Sequence, residues 1–471
     1  MKASLLTLEQ IIQATGGLHV FGEDAVYFDN VQTDSRLVKK NSLFVPLIGE
    51  KQDGHLYVPQ SLEKGASVVF IAKSSFEKDG KFYSELSVKY PASVFIAVDN
   101  TLTALQKSAA RYVEKFPSLI KVAVTGSSGK TTTKELIASV LRQKYRVVSN
   151  RGNLNSETGL PLSVFEITDE HEAGVFEMGM NRENEIGEIS AVLKARIAVI
   201  TNIGTAHIGK LGSREKIAEE KAKVFDWFNG NGTAIIPSGD DYEDFLKSKA
   251  GKNIIEYGFD CSEDVSVCED EALFGSTICI GKEKAFLSLP GKYNAKNALA
   301  AVMTGRLLGL TDAEIARGIE SLEPLSGRSE VLRGKYTIIK DCYNANPDSL
   351  EKALDFISAA KVSAKKILVL GDMLELGEDS VCEHTKAGVL ASKSGASFCV
   401  FAGNEMKAAY EGIRKTAPEF DCAYVPGNSD ESMEKIVSLL KEKLSEKDVI
   451  LVKGSRGMAL ERVIEKLENA S

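Results

Sequence analysis

The chain has 471 residues, of which 43% are hydrophobic and 26% charged, and its formal net charge is −8. This length predicts about three domains, and the composition is that of a globular protein with packed cores, which excludes an intrinsically disordered chain. The acidic balance argues against nucleic acid as a partner, because nucleic-acid-binding proteins carry a basic excess or a basic stripe.

Cysteine usage and hydropathy predict a cytoplasmic location. The seven cysteines include no Cys-x-x-Cys pair and lie mostly in apolar runs, so we expect reduced thiols. The start of the chain lacks the apolar core of a signal peptide, and no later stretch approaches the roughly 18 apolar residues of a membrane span. We therefore expect a cytoplasmic protein without a membrane span, and most simply a monomer.

The alternation of apolar runs and turn-rich segments predicts an α/β protein with three domains. Residues 1–100 have short apolar runs at 42–46, 67–71 and 94–98, typical of a small mixed α/β domain. In a central domain, residues 101–325, strands are expected at 119–124, 173–176, 197–202 and 233–236, and the helical segments between them favour a parallel sheet. The segment 322–328, which contains Pro324 and Gly327, predicts a linker.

A third domain, residues 326–471, repeats the strand and helix alternation. Its strand candidates lie at 336–340, 366–370, 398–401 and 449–452. Helical stretches separate them, so we expect a second doubly wound, Rossmann-like unit.

The segment Val124-Thr-Gly-Ser-Ser-Gly-Lys-Thr-Thr-Thr133 has the composition and context of a phosphate-binding loop. It follows a predicted strand and precedes a predicted helix, so its backbone N–H groups and the helix N-terminus can hold phosphate oxygens. Lys130 would reach the terminal phosphates and Thr131 would place its hydroxyl on magnesium. Val124 stands where the usual pattern has glycine, and the alternative is a chance turn that caps a helix. The nucleotide-binding candidates are Thr125, Gly126, Ser127, Ser128, Gly129, Lys130, Thr131 and Thr132.

Three further side chains are candidates for the same edge of the central sheet. Glu177 and His207 each follow a predicted strand, where open α/β sheets bind their ligands, although a solvated residue is the commoner case for either one alone. Lys221 lies in the helical stretch 214–228, and its spacing alone indicates only a charged face in solvent.

Taken together, the motifs resemble the Mur ligases along nearly the whole chain. They are the phosphate loop, Glu177-Met-Gly-Met180, Ala206-His207 followed by Lys221, and Leu289-Pro-Gly-Lys-Tyr-Asn-Ala-Lys-Asn297. The segments Asp341-Cys-Tyr-Asn-Ala-Asn-Pro-Asp-Ser349 and Leu370-Gly-Asp-Met-Leu-Glu-Leu-Gly377 resemble the family member that joins D-alanyl-D-alanine to UDP-N-acetylmuramoyl-tripeptide. Asp34-Ser-Arg36 and Asp53-Gly-His55 are similar to the nucleotide-sugar-binding N-terminal domain of such ligases.

This resemblance implies roles for individual residues. Lys221 would be carbamylated and, with Thr131, Glu177 and His207, would hold Mg²⁺, whereas an unmodified lysine cation would repel the metal. Asn297 would hold the adenine of ATP, and Arg328 and Asp341 would contact the nucleotide. The substrate-binding candidates are Ser35, Arg36, Asn153, Asn155, Asn181, Tyr343, Asn344, Asn346, Lys453 and Arg456.

Several residues depart from the family pattern or have open roles. Ser156 stands where asparagine is usual, and Tyr293 replaces a frequent histidine, which leaves details of the substrate contacts open. For Asp372 and His384, a structural role is as well supported as a functional one.

The reaction implied is an ATP-dependent ligation in peptidoglycan precursor synthesis, with ADP and phosphate as products. A carboxylate would attack the γ-phosphate of ATP to give an acyl phosphate, which the incoming amine would then capture. The alternatives are a sibling ligase that adds a single amino acid or glutamate units, a phosphate-loop kinase or NTPase, and a regulatory module that binds nucleotide without turnover.

Overall fold

The computed structural model describes residues 4–24, 26–49, 52–270, 273–323 and 325–468. Pro324, part of the predicted linker, lies outside the described residues. Within them the helices and strands form three successive units, here called the N-terminal, central and C-terminal units. No helix in these ranges is both long and apolar enough to cross a bilayer.

The N-terminal unit is a mixed sheet with strand order β1-β5-β4-β3-β2, in which only the pairing of β1 with β5 is antiparallel. The inner strands β4 and β5 form because their apolar runs are buried on both faces. Its elements are α1 (Leu8–Thr15), β1 (Leu18–Phe21), β2 (Asn30–Gln32), β3 (Ser42–Phe44), α2 (Val58–Glu63), β4 (Ala66–Ala72), α3 (Lys73–Lys78), α4 (Gly80–Lys89) and β5 (Val94–Val98).

The central unit is built on a parallel sheet with strand order β11-β10-β9-β6-β8-β7. Its first elements are α5 (Thr101–Val113), β6 (Ile120–Thr125), α6 (Lys130–Leu141), β7 (Val147–Ser149), α7 (Gly159–Val164), β8 (Ala173–Glu177), α8 (Glu185–Leu193), β9 (Ile197–Ile200), α9 (Ile208–Leu211) and α10 (Arg214–Ala222). They are followed by β10 (Thr233–Pro237), α11 (Glu243–Ala250), β11 (Ile254–Tyr257), β12 (Val265–Asp270), β13 (Ser276–Ile280), β14 (Glu283–Leu287), α12 (Lys292–Leu307) and α13 (Asp312–Glu320).

Strands β12, β13 and β14 form a separate antiparallel sheet that the sequence did not predict. Cys268 and Cys279 lie on its neighbouring strands β12 and β13, with Cα atoms 5.9 Å apart. The expectation of reduced thiols stays a prediction for these two residues.

The C-terminal unit has strand order β15-β16-β20-β17-β18-β19, with β15 antiparallel and the other neighbours parallel. Its elements are β15 (Glu330–Arg333), β16 (Thr337–Asp341), α14 (Pro347–Ala359), β17 (Lys366–Gly371), α15 (Ser380–Lys393), β18 (Phe398–Ala402), α16 (Lys407–Thr416), β19 (Cys422–Val425), α17 (Asp430–Lys443), β20 (Val449–Lys453) and α18 (Glu461–Glu468). The predicted α/β class with a parallel central sheet and a Rossmann-like third unit is confirmed, whereas the domain limits near residues 100 and 325 stay predictions.

The order of the central sheet determines where the site lies. Strands β8 and β9 flank β6, and all three run parallel, so their carboxyl ends meet at one edge. The loops that leave this edge carry the phosphate loop, Glu177 and His207.

Candidate active site

The phosphate loop lies between β6 and α6, and its glycines allow the sharp turn. Gly126 has φ +147°, and a Cβ there would lie 1.8 Å from Oγ1 of Thr201. Gly129 has φ +78° and is the N-cap of α6, which begins at Lys130. A side chain at Gly126 would thus collide with the loop after β9, and the helix N-terminus points into the turn.

The loop after β9 holds the phosphate loop in place. The N–H of Ser127 donates to the carbonyl of Asn202 at 2.9 Å, and the N–H of Ser128 donates to Asn202 Oδ1 at 2.9 Å. Oγ1 of Thr201 donates to the Ser128 carbonyl at 2.6 Å. These bonds fix the backbone that a phosphate would contact, which reduces the ordering cost of binding.

Two lysine ammonium groups converge on one carbonyl of the phosphate loop. Nζ of Lys130 donates to the Gly126 oxygen at 2.9 Å, and Nζ of Lys221 donates to the same oxygen at 2.8 Å. Burial, followed by the charge of Lys130, lowers the pKa of Lys221 well below its ordinary value. Burial likewise lowers the pKa of Lys130. The interpretation of Lys221 as part of a solvent-facing helix surface is wrong, because Lys221 is 1% exposed and lies on the same helical face as buried Ile217.

Glu177 ends β8 and is almost completely buried. Its Oε2 accepts a hydrogen bond from Oγ1 of Thr131 at 2.6 Å, and its Oε1 accepts one from Nδ2 of Asn155 at 2.6 Å. The Glu177 N–H donates to Oδ1 of Asn150 at 2.9 Å. The carboxylate is therefore held against the first turn of α6.

His207 has a left-handed backbone, with φ +67°, and lines the same cavity as Glu177. Burial, and then the nearby charge of Lys130, lowers its pKa to about 3. The imidazole is therefore neutral near pH 7, which is the form that binds a metal ion.

The donor set of Thr131, Glu177 and His207 suits a magnesium ion that is shared with phosphate. Among the described residues, no three His, Cys, Asp or Glu side chains form a protein-only metal site. Magnesium keeps several waters and typically takes only one or two carboxylates plus phosphate oxygens. A hydroxyl and a carboxylate at a phosphate loop therefore fit this ion.

These residues surround a cavity of roughly 810 Å³ between the central and C-terminal units. The predicted residues that line it are Ser127, Ser128, Gly129, Lys130, Thr131, Thr132, Asn153, Asn155, Glu177, Asn181, His207, Asn297, Arg328, Asp341, Tyr343, Asn344, Asn346, Lys453 and Arg456. Thr125, Gly126 and Lys221 lie in the structure that supports the phosphate loop.

The C-terminal unit contributes a charged wall to this cavity. Nζ of Lys453 donates to Oδ2 of Asp341 at 2.6 Å. The guanidinium of Arg328 stacks on Tyr343 at 3.9 Å from the ring centroid, and that of Arg456 approaches the same ring at 6.0 Å. The aromatic ring thus holds two cations beside the cavity.

Ser35 and Arg36 lie in the N-terminal unit and do not line this cavity. Oγ of Ser35 donates to Oε1 of Gln60 at 2.8 Å. The Arg36 guanidinium hydrogen-bonds to both carboxylate oxygens of Asp34 and lowers the pKa of that carboxyl to about 2. Their predicted substrate role therefore concerns a separate part of the protein.

The residues with open roles have structural contacts. Nε2 of buried His384 accepts from the Met373 N–H at 3.0 Å, and Asp372 accepts from the Met406 N–H at 2.8 Å. The hydroxyl of Tyr293 lies 2.9 Å from Oγ of Ser329 at the cavity wall.

Several residues in the cavity or beside it were not predicted from the sequence. Asp348 and Lys352 of α14 contact the central unit, where Nζ of Lys352 donates to Oγ of Ser128 at 3.2 Å. Glu375 contacts His207, and Asn202 holds the phosphate loop. Glu375 falls inside the motif 370–377 and Asp348 inside the motif 341–349, which were usable signals, whereas Lys352 and Asn202 stand in no recognisable pattern.

The chain is similar to proteins of one known family along most of its length. Three family models match the chain: the Mur ligase family catalytic domain at residues 27–113, the Mur ligase middle domain at 124–305, and the Mur ligase glutamate ligase domain at 327–456. A protein of Treponema pallidum named UDP-N-acetylmuramoyl-tripeptide--D-alanyl-D-alanine ligase is 40% identical over 461 residues, 98% of each chain. The chain belongs to the Mur ligase family.

Other Mur ligases are similar to this chain over nearly its whole length. A Bacillus subtilis protein of the same name is 33% identical over 476 residues, 99% of this chain and 98% of its own. A crystal structure of MurF from Acinetobacter baumannii superposes with a TM-score of 0.85 at 29% identity, covering 98% of each chain. MurF ligase from Thermotoga maritima in complex with ADP gives a TM-score of 0.76 at 25% identity, covering 93% of this chain and 97% of that one.

Proposed function

We propose that this Mur ligase joins D-alanyl-D-alanine to the terminal carboxylate of UDP-N-acetylmuramoyl-tripeptide, with ATP converted to ADP and phosphate. The observation that carries the proposal is the meeting of Lys130, Glu177, His207 and Lys221 at one phosphate loop, in a chain that is 40% identical over its length to a relative of that name. The product would serve peptidoglycan precursor synthesis. Because the reaction consumes ATP, we place it in the cytoplasm, and we expect a monomer.

The triphosphate would bind along the phosphate loop. Lys130 and Arg328, one from each side of the cavity, would balance the phosphate charge, and Asn297 beside Gly129 would contact the adenine. Bound Mg²⁺ would offset the negative charge of the β- and γ-phosphates. Thr131, Glu177 and His207 would hold this ion, as their donor atoms allow.

Carbamylated Lys221 would complete the metal ligands. Carbon dioxide reacts with a neutral amine, and the lowered pKa of the buried Lys221 favours that form. Carbamylation would place an anion beside the Lys130 ammonium, whereas a protonated Lys221 would bring a second cation to the same carbonyl. Both effects support the modification.

The chemistry then needs positioning more than a protein nucleophile. An oxygen of the tripeptide carboxylate forms a bond to the γ-phosphorus while the bond to ADP breaks, which gives the acyl phosphate. The neutral amine of D-alanyl-D-alanine attacks the carbonyl carbon, phosphate leaves with the bonding electrons, and the amine proton goes to solvent or phosphate. Alignment of the reactants contributes several kcal/mol, on the order of the effective-concentration gains known for such steps.

Substrate binding would use all three units. Ser35 and Arg36 would contact the nucleotide sugar, and Asn153, Asn155 and Asn181 the peptide. A further group from the C-terminal unit would face the nucleotide or the incoming dipeptide: Asp341, Tyr343, Asn344, Asn346, Lys453 and Arg456. We propose a hinge at residues 325–328, between the central and C-terminal units.

One assay tests the proposal. Purified protein, ATP, Mg²⁺ and UDP-N-acetylmuramoyl-tripeptide are incubated with D-alanyl-D-alanine or with single amino acids, and phosphate and ligated product are measured. We expect phosphate release only with the dipeptide. Release without an amine would favour a kinase or NTPase, preference for one amino acid would favour a sibling ligase, and no turnover with any set would favour a regulatory module.

A further inference from the structure

The segment that follows β9, residues 201–211, includes the short helix α9 and is here called the β9 loop. The C-terminal unit contacts it at two points. Oδ2 of Asp348 accepts hydrogen bonds from the N–H of Thr205 at 2.5 Å and from its Oγ1 at 3.2 Å. Further along, Oε2 of Glu375 lies 3.1 Å from Nδ1 of His207, and its Oε1 lies 3.9 Å from Nζ of Lys210. The second contact therefore joins Glu375 to His207, which is a candidate metal ligand.

Around Glu375 the two units fit backbone against backbone. A Cβ at Gly209 would lie 2.8 Å from the Leu376 carbonyl carbon and 3.0 Å from the Gly377 nitrogen. A Cβ at Gly377, where φ is +59°, would lie 3.3 Å from the Gly209 Cα. No side chain enters this contact without moving one of the loops, so the approach of Glu375 to His207 is set by main-chain packing.

Both partners of the hydrogen bond have strained backbones. His207 and Glu375 each have φ +67°, in the left-handed region that costs a non-glycine residue about 1–2 kcal/mol. Such conformations persist where the surroundings determine them, and they cluster at functional sites. Here two residues with this conformation, His207 and Glu375, come from opposite sides of the cavity, and their side chains are in contact.

The contact with Glu375 affects which ring nitrogen of His207 carries the proton. A carboxylate at Nδ1 favours the tautomer with the proton on Nδ1, which leaves the lone pair on Nε2, across the ring. Metal-binding histidines commonly donate their other ring N–H to a carboxylate, which fixes the tautomer and the ring orientation. His207 lines the cavity beside Lys130 and Glu177, so its Nε2 is the nitrogen left for a ligand there.

We propose that Glu375 is a positioning residue that orients His207 from the C-terminal unit, so that His207 takes part in cation binding only when that unit is docked on the β9 loop. The inference rests on the proposed function, in which His207 holds the nucleotide-bound divalent cation. Docking of the C-terminal unit and completion of the metal ligands are then one event. The site becomes competent only after the cavity is closed, which protects an acyl phosphate from water.

The test measures metal binding apart from turnover. Mn²⁺ is titrated into the protein with a non-hydrolysable ATP analogue, and free Mn²⁺ is followed by electron paramagnetic resonance. We expect Glu375→Ala to weaken Mn²⁺ binding by about 10- to 100-fold. Glu375→Gln should lose less, because its amide oxygen still accepts from Nδ1. The control Glu378→Gln, an exposed glutamate on the same loop, should bind like the wild type.

Two further measurements separate this idea from loss of structure and from failure of the proposed function. In ¹⁵N-histidine NMR spectra, His207 should show the Nδ1–H tautomer in the wild type and a mixture in Glu375→Ala. In a His207→Ala background, Glu375→Ala should add no further loss of Mn²⁺ affinity. If His207→Ala weakens Mn²⁺ binding and Glu375→Ala does not, the positioning role is refuted. If His207→Ala itself leaves Mn²⁺ binding unchanged, the metal role assigned under the proposed function fails instead.

Discussion

The ion pair between Asp341 and Lys453 permits a quantitative prediction about the C-terminal unit. The two residues are directly opposite each other on the neighbouring strands β16 and β20, and their charged atoms are 2.6 Å apart. The Lys453 side chain is only 2% exposed and that of Asp341 15%. The other oxygen of Asp341 accepts from the Ser329 N–H at 3.1 Å.

The substitution Asp341→Asn removes the negative charge but keeps an acceptor for Ser329. The Lys453 ammonium then retains only a weak bond to the Asn344 carbonyl, at 3.5 Å. Breaking a buried pair by neutralising one partner typically costs about 3–5 kcal/mol, because a charge is left buried without compensation. We expect the lower end, about 3 kcal/mol. For a unit of this size that corresponds to a fall in Tm of about 6–12 °C.

Hydrogen exchange on the amides of β16 and β20, together with thermal unfolding, measures this effect within the unit concerned. The matched control is Asp421→Asn, which breaks the pair with Lys443, whose side chains are 50% and 41% exposed. An exposed pair is worth at most about 1 kcal/mol, so the control should change little. Equal effects of the two substitutions would refute the claim that burial makes the Asp341 pair costly to break.

Three other outcomes are expected. Lys130→Ala should reduce ADP formation by at least about 100-fold while the circular dichroism spectrum stays unchanged, and full activity would end the assignment of the ATP loop. Lys221→Ala should lose activity and regain part of it with short-chain carboxylates such as acetate. Full activity of this variant without added carboxylate would refute the proposed carbamylation of Lys221. Gly318→Ala places a Cβ 2.4 Å from the Val140 Cα and should lower stability by about 1–3 kcal/mol in urea unfolding. The control Gly334→Ala should leave stability unchanged, because a Cβ at Gly334 has no atom within 4 Å. Equal losses of stability in the two variants would contradict the packing argument.

Much of the fold could be predicted because its parallel strands are buried on both faces. Such strands are continuous apolar runs, and the predicted strand at 94–98 coincides with β5, while those at 173–176 and 197–202 begin where β8 and β9 begin. The edge at which ligands bind follows from strand direction alone. The sequence alone therefore predicts that Glu177 and His207 lie near the phosphate loop.

The remainder depends on contacts between distant parts of the chain. Strands β12 to β14 are short, and charged residues end β12 and begin β14, so no long apolar run marks this sheet in the sequence. Lys221 looked like a surface charge because the partner that buries it, Gly126, lies 95 residues away. Asp348 and Thr205 are 143 residues apart, and Glu375 and His207 are 168 apart. No local pattern encodes which residues meet across such separations.

The β9 loop connects the phosphate loop to the C-terminal unit. Within one short segment, Asn202 fixes the phosphate loop, Thr205 binds Asp348 of α14, and His207 binds Glu375. The segment leaves an inner strand of the central sheet, and Ile203 is further tied to Asp240 through its N–H at 3.0 Å. Because the nucleotide-binding loop and the C-terminal unit are both anchored to the same segment, a displacement of one changes the position of the other relative to it. A reaction that joins groups held by different units requires this shared reference, since misplacement by about 1 Å costs on the order of 100-fold in rate.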